Sequence, residues 1–352
     1  MALFTLPQVS IAGISACVPK NKEHNLSYEW ISPKEREMLV KTTGIEYRRV
    51  ANLSLCTSDM CFLAAQQLLT TLKWDSSEID LLIFVSQSPD YFLPSTSIIL
   101  QDRLGLGKQC LAFDIALGCS GYVYGLSVVA GLMQSGGLRK ALLLVGDKST
   151  SSSSYKDKSV YPLFGDAGTA TALYFNPSAT PFVFNLQSDG SGKDAIMISD
   201  GGMRNPINEE TYIEQEIETG IIRHRRHLAL NGLDVFNFSL REVVPNINAL
   251  LHYANKNTEE FDYFIFHQAN KLMNETIRKK MKLLPEKVPY SLNTFGNTSS
   301  ASIPLTIVHC LTEITPNHCL QCLLSGFGVG LSWGSAVVEF DHIVCPPVIE
   351  AP

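Results

Sequence analysis

A cysteine placed to be reactive, a strand-end histidine and an asparagine stand far apart in the chain: Cys119, His267 and Asn297. Cys119 lies in "IALGCSGYVYGLSVVAGLM" (115–133), at the head of a run without charge. A cysteine at a helix N-terminus faces unpaired N–H groups and the positive end of the dipole, which favours thiolate. Gly118 permits a sharp turn before it, and Gly121 lets the helix pack closely behind it. Cys17, Cys56, Cys61, Cys110, Cys310 and Cys345 read instead as small core hydrophobes. Cys319 and Cys322, with His318 alongside, lack a second ligand pair and read as strand core rather than as a zinc site. His267 ends the apolar "YFIF" and precedes the helical "QANKLMNETIRKKMK", which aims it at a crevice on the carboxyl edge of a sheet. His224 and His227 fall in a basic loop, "RHRRH". Asn297, in "FGNTSSASIP", has the residue type of a helix cap, and capping alone would account for it. The glycine-rich "SGFGVGLSWGS" (325–335) turns into a strand, without GxGxxG spacing or a following helix. Its N–H groups suit a carbonyl oxygen that gains charge better than they suit a phosphate.

The elements that must position these groups occur twice. Helical stretches at 55–73 and 233–255 precede the β-rich runs "IDLLIFVS" (79–86) and "FDYFIFHQ" (261–268). "ALLLVGD" (141–147) and "LQCLLSGFG" (320–328) read as further central strands. Alternation of this kind predicts an α/β fold with parallel or mixed sheets covered by helices on both faces. Asp80-x-x-Ile83-Phe84 matches Asp262-x-x-Ile265-Phe266, and about thirty residues later Gly118-Cys119-Ser120 meets Gly296-Asn297-Thr298. Both triplets are expected where a strand hands over to a helix, and strands ending at Gly146 and Gly326 follow. Such a duplication brings equivalent turns together at the interface of two lobes, so Cys119 and Asn297 are expected to share one pocket. The boundary is placed in "FNPSATPF" (175–182), giving lobes 1–176 and 177–352. The segments 149–156 and 201–227 read as loops over the pocket.

Composition narrows the classes. The 352 residues are 45% hydrophobic and 18% charged, an ordinary globular balance with ample core. A net charge of −6 argues against a nucleic-acid binder. Nine cysteines without framework spacing read as reduced thiols in a cytoplasmic protein, and the start, "MALFTLPQVSIAG", lacks the basic region of a signal peptide. Residues 115–138 carry no charge and contain GxxxG at Gly121 and Gly125, but polar residues at both ends favour a buried helix over a membrane span.

Taken together, "GCSG" (118–121), "HQANK" (267–271), "GNTSSASIP" (296–304) and "FGVGLSWGS" (327–335) resemble the β-ketoacyl-acyl-carrier-protein synthase III family. "KTTGIEYRR" (41–49), "FGDAGTA" (164–170) and "NGLDVFNF" (231–238) add to the likeness, which spans essentially the whole chain. The resemblance implies a thiolase-like fold, two duplicated α/β lobes layered α-β-α-β-α, with the cysteine in the first lobe and His267 and Asn297 in the second. It implies that Cys119 takes an acyl group from a coenzyme A or acyl-carrier-protein thioester, and that a malonyl thioester then loses carbon dioxide and attacks it. His267 and Asn297 would donate to the malonyl thioester oxygen, and the N–H groups of Cys119 and Val329 would hold the other oxyanion. Gly328, Gly330, Phe92 and Leu93 would border the substrate pocket, the 92–94 stretch reaching into a partner subunit. A leucine at 93 leaves room for longer or branched acyl groups. The implied protein is a cytoplasmic homodimer working with acyl carrier protein and acyl-CoA, without metal or redox cofactor, nucleic acid or membrane span.

Within the superfamily, "GFGVG" lacks the second cysteine of thiolases, and Asn297 stands where other elongating synthases carry a second histidine. No glutamate occurs between Glu78 and Glu209, where hydroxymethylglutaryl synthases need one. The docking surface departs from the family pattern: Thr42 replaces an arginine, with Lys41 before it, Lys271 is followed by Leu272, and Asn237 stands where a lysine is common. Lys41, Arg48 and Lys271 are the expected docking cations, with Arg223, Arg225 and Arg226 as replacements. Arg278, Lys279, Lys280 and Lys282 read as a solvated helix end. Two other functions remain open, acyl transfer to an oxygen or nitrogen nucleophile and a non-catalytic subunit of a two-protein synthase. The presence of Asn297 favours carbon–carbon bond formation.

Overall fold

A computed structural model describes residues 2–134 and 137–352. Continuous apolar runs become buried central strands. In the first sheet, Leu81–Val85 pairs in parallel with both Leu111–Ile115 and Lys140–Asp147, and Ala167–Phe175 and Val9–Pro19 follow as antiparallel neighbours. In the second, Tyr263–Phe266 pairs in parallel with Cys319–Gly328, and Ser332–Asp341 and Phe182–Ser188 follow antiparallel. Four strands thus repeat in the same order and the same directions, which is the duplication read from the sequence.

Side chains along each strand alternate between two faces. Leu82, Phe84, Leu142 and Leu144 pack with the helix Thr57–Leu72 on one outer side. On the opposite outside, the helix Gly232–Tyr253 covers Phe264, Leu323 and Val337. Between the sheets, the helices Gly121–Met133 and Ser302–Leu311 share one core with Ile83 and Leu143 from the first sheet and Leu324 and Val338 from the second. The layering is α-β-α-β-α, and each large apolar side chain fully buried in it contributes about 1.5–3 kcal/mol. The GxxxG pair serves this packing: a Cβ on Gly121 would lie 2.7 Å from Val85, and one on Gly125 would lie 2.8 Å from Leu143. Among the described residues no helix is long and apolar enough to cross a membrane.

Two features differ from the expectation. No strand leads into Asn297; the polar "SLNTF" breaks the apolar alternation and forms the short helix Leu292–Phe295, ended by Gly296 at φ +75°. The terminal strands also cross between lobes. Ala2–Leu6 pairs with Phe182–Ser188 in the second sheet, and Ile349–Ala351 pairs with Val9–Pro19 in the first. A cut between residues 176 and 177 separates the bodies of the two sheets but leaves one strand of each on the wrong side.

Candidate active site

Cys119 sits in the turn between the strand Leu111–Ile115 and the helix Gly121–Met133, where the Gly121 N–H donates to the Gly118 carbonyl at 2.7 Å. Glycines on neighbouring elements make room for it. A Cβ on Gly326 would lie 2.8 Å from the Cys119 carbonyl, and one on Gly328 would lie 2.8 Å from the sulfur itself. The end of the strand Cys319–Gly328 therefore lies directly against the nucleophile, and Ser120 and Ser332 join hydroxyls at 2.7 Å across the contact. Burial pushes the thiol up to about 11, with the Val329 N–H working in the opposite direction.

His267 leaves the end of the strand Tyr263–Phe266, its N–H donating to the Ser325 carbonyl at 2.8 Å. Its carbonyl accepts from the Asn274 side chain at 3.0 Å, and Nδ1 lies 2.8 Å from the Ser302 hydroxyl. The ring meets Phe327 edge-on with centroids 5.6 Å apart. Burial lowers its pKa to about 3, so the ring stays neutral at any ordinary pH.

Asn297 is held by the opposite lobe. Its N–H donates to the Leu163 carbonyl at 2.9 Å, and its own carbonyl accepts from the Gly165 N–H at 3.0 Å. The Ser299 N–H donates to Oδ1 at 2.9 Å, which leaves the Nδ2 donors as the free end of the carboxamide. The "FGDAGTA" segment is thus the cradle of Asn297, while the Asp166 in it is fully buried and spent on the N–H groups of Ala51 and Thr150.

Cys119, His267 and Asn297, all under a tenth exposed, line one cavity of 440 Å³ together with Phe327, Gly328 and Val329. Leu228, Leu230, Val235 and Met273 form an apolar wall, whereas Gln87, Ser88 and Asp147 make the lining near the thiol polar. Gly330 lies outside the lining. Phe92 and Leu93 are 90% and 87% exposed and do not line the cavity of their own chain.

Of the expected docking cations, Lys41 and Lys271 are exposed, but Arg48 is not. Its guanidinium is wholly buried, donating to the Tyr161 and Phe164 carbonyls, ion-paired with Glu23 and stacked on the Tyr161 ring at 4.1 Å. It locks the "KTTGIEYRR" segment to the second half of its lobe and offers no charge to a carrier. Arg223 pairs with Asp157 at 2.9 Å, and Arg225 with Asp200 and Glu210, both at 3.2 Å. Arg278 pairs with Glu275 within its own helix, Lys271–Lys280, in keeping with a helix end. Asp147, Ser299, Ser302 and Gln87 were not singled out from the sequence. Only the Gly-Asp at the close of "ALLLVGD" could have drawn attention to the first of them.

The fold and the convergent Cys-His-Asn set define a thiolase-like acyltransferase. Residues 113–190 match the family described as 3-oxoacyl-[acyl-carrier-protein (ACP)] synthase III, and residues 251–340 match its C-terminal part. A β-ketoacyl-[acyl-carrier-protein] synthase III of Clostridioides difficile is 31% identical over 95% of this chain and 98% of its own. The same holds for the namesake from Syntrophomonas wolfei, with 31% identity over 95% and 98%. The crystal structure of a 3-oxoacyl-(acyl-carrier protein) synthase from Burkholderia xenovorans LB400 superposes with a TM-score of 0.94 at 36% identity, covering 99% of each chain. The chain belongs to the 3-oxoacyl-[acyl-carrier-protein] synthase III family.

Proposed function

We propose that the chain condenses an acyl primer, carried as a thioester on Cys119, with a malonyl thioester to give a 3-oxoacyl product. The observation that supports this reading is the convergence of the thiol, the imidazole and the carboxamide on one cavity. The Cys119 sulfur attacks the carbonyl of an acyl-CoA or acyl-carrier-protein thioester, and the N–H groups of Cys119 and Val329 receive the oxyanion. After the donor thiol leaves, a malonyl thioester enters and its carbonyl oxygen lies between His267 and Asn297. With the Ser302 hydroxyl, 2.8 Å away, donating to Nδ1, His267 takes the tautomer this step needs. The ring hydrogen then sits on Nε2, and His267 and Asn297 both donate to the enolate oxygen formed as carbon dioxide departs. The enolate carbon attacks the acyl-cysteine and releases Cys119. Each donor contributes about 3–4 kcal/mol, or about 10²–10³-fold in rate, to such an oxyanion site.

The reaction as drawn requires no metal or redox group. Exposed Lys41 and Lys271 are available to meet a carrier protein or coenzyme A phosphates, as is Arg226, whose guanidinium donates to the Asp200 carbonyl at 3.2 Å. The protein acts as a cytoplasmic homodimer, with Phe92 and Leu93 covered by the second copy. The test is intact-mass analysis with a panel of acyl thioesters, followed by malonyl carrier protein. Condensation predicts an acyl adduct, absent in Cys119→Ser, that disappears with carbon dioxide release only when malonyl carrier is added. Loss of the adduct to a hydroxylamine or alcohol acceptor but not to malonyl carrier would favour transfer to nitrogen or oxygen.

A further inference from the structure

The first-lobe end of the cavity is polar where an acyl chain on Cys119 would run. Leu81–Val85 pairs in parallel with both the strand leading to Cys119 and Lys140–Asp147. Gln87 lies just past the first of these strands, and the turn Ser149–Ser152 follows the last. Gln87, Ser149 and Ser152 all line the cavity. A Cβ on Gly118 would lie 2.3 Å from Oε1 of Gln87, so the carboxamide rests on the residue just before the nucleophile.

Other polar groups at this end are already engaged. Asp147 is enclosed by the Ser86 hydroxyl, the Gln87 N–H and the Ser300 hydroxyl. The Ser88 hydroxyl pairs with that of Thr57 at 2.7 Å and accepts the Lys148 N–H at 2.9 Å, while Ser159 donates to Asp157. The Lys148 ammonium donates to the Asn52 carbonyl at 2.7 Å. Among the described residues, what remains open to the cavity here is neutral: the Gln87 carboxamide and the Ser149 and Ser152 hydroxyls, none of which hydrogen-bonds to another protein group through its side chain. A hydrocarbon chain would strip water from these groups and return no hydrogen bond, whereas a hydroxyl on the chain replaces the water it displaces. A charged chain would find no free counter-ion.

We propose that the primer loaded on Cys119 carries a hydroxyl group within its first few carbons, and that Gln87 selects it. The inference rests on Cys119 being the acyl acceptor. The acyl oxygen lies on the N–H groups of Cys119 and Val329, and the malonyl oxygen lies between His267 and Asn297 of the second lobe. The acyl chain is left the first-lobe side, where Gln87 stands. Oε1 accepts the hydroxyl hydrogen of the primer or Nε2 donates to its oxygen, and Ser149 and Ser152 extend the same polar surface.

The experiment measures the rate constant of Cys119 acylation, by intact mass, for primers matched in carbon number. Propionyl is compared with lactoyl, and butyryl with each enantiomer of 3-hydroxybutyryl, all offered as coenzyme A and as carrier-protein thioesters. In at least one pair the hydroxylated primer loads about 10–10²-fold faster. Gln87→Met keeps the length of the side chain and removes the carboxamide, and should bring that ratio to within about threefold of one. Gln87→Leu serves if Gln87→Met does not fold. A merely structural role for Gln87 lowers both rates and keeps their ratio, which would overturn the proposal. A wild type that loads the plain chain as fast as the hydroxylated one in every pair would overturn it without any variant. Plain chains that load without disadvantage and are discharged by malonyl carrier protein would remove this inference alone. If no thioester loads, the reading of Cys119 as acyl acceptor falls, and this inference with it.

Discussion

Burial acts on the two titratable groups of the cavity in opposite senses, up for the Cys119 thiol and down for the His267 imidazolium, and both end neutral. A neutral imidazole keeps a fixed hydrogen-bonding role, because no proton is gained until the pH falls to about 3. The pH profile of malonyl-thioester decarboxylation is accordingly expected to show no inflection near 6.5. An inflection there that vanishes in His267→Gln would mean that the ring titrates and the burial argument fails. The sulfur faces a second constraint. An alanine at 328 would put a methyl group 2.8 Å from Sγ and 2.7 Å from Cβ of Cys119, well inside van der Waals contact. Gly328→Ala should therefore form no acyl-enzyme by intact mass while keeping the wild-type circular-dichroism spectrum. Acylation at the wild-type rate would show that the strand end is not packed on the thiol. Cys119 and His267 were legible as residues because each adjoins a long apolar run that could only be a strand or a buried helix. Asp147 was not, since an acid at a strand end reads as solvated until Ser86, Gln87 and Ser300 are seen to enclose it.

Elements carry the correspondence between the halves, and they show where sequence reasoning stopped. "IDLLIFVS" and "FDYFIFHQ" were readable because strands buried on both faces give unbroken apolar runs. The segment before Asn297 was not, because its support comes from another lobe: an isolated pairing with Phe164 replaces a strand of its own. Arg48 failed for a related reason. A strand of three residues, Tyr47–Arg49, gives too little alternation to tell which arginine turns inward. The cross-lobe support is testable at Gly165, where a Cβ would fall 1.9 Å from the Phe295 carbonyl oxygen. Neither atom belongs to a flexible side chain, so Gly165→Ala must push the Asn297 turn away from the first lobe. The expected result is a melting temperature lower by several degrees and decarboxylation reduced by about 10²-fold, the loss of one oxyanion donor. Cys119 alkylation should continue. A variant with wild-type decarboxylation would show that Asn297 is placed by its own lobe alone.

At the scale of the whole molecule, the exchanged terminal strands tie the lobes into one body, and one face is left with the character of an interface. Leu111–Ile115 is the edge of the six-stranded sheet, with no strand paired to its outer side among the described residues and Leu111 45% exposed. The helix Thr96–Arg103 is fastened to that strand by Asp114, which accepts the N–H groups of Thr96 and Ser97, both at 2.8 Å. Just before the helix, Tyr91, Phe92 and Leu93 stand out into solvent. A bare sheet edge beside three consecutive exposed apolar side chains has the character of a contact surface. A second copy related by a twofold axis would pair the edge strands and bury each 91–93 segment against its mate. In that arrangement Leu93→Glu removes two buried leucines per dimer, about 3–6 kcal/mol, and raises the dissociation constant by about 10²–10⁴-fold. Light scattering over a dilution series should find a dimer for the wild type and a monomer for the variant at micromolar concentration. A wild type that is monomeric throughout, or a variant that remains dimeric, would place the self-association surface elsewhere or remove it.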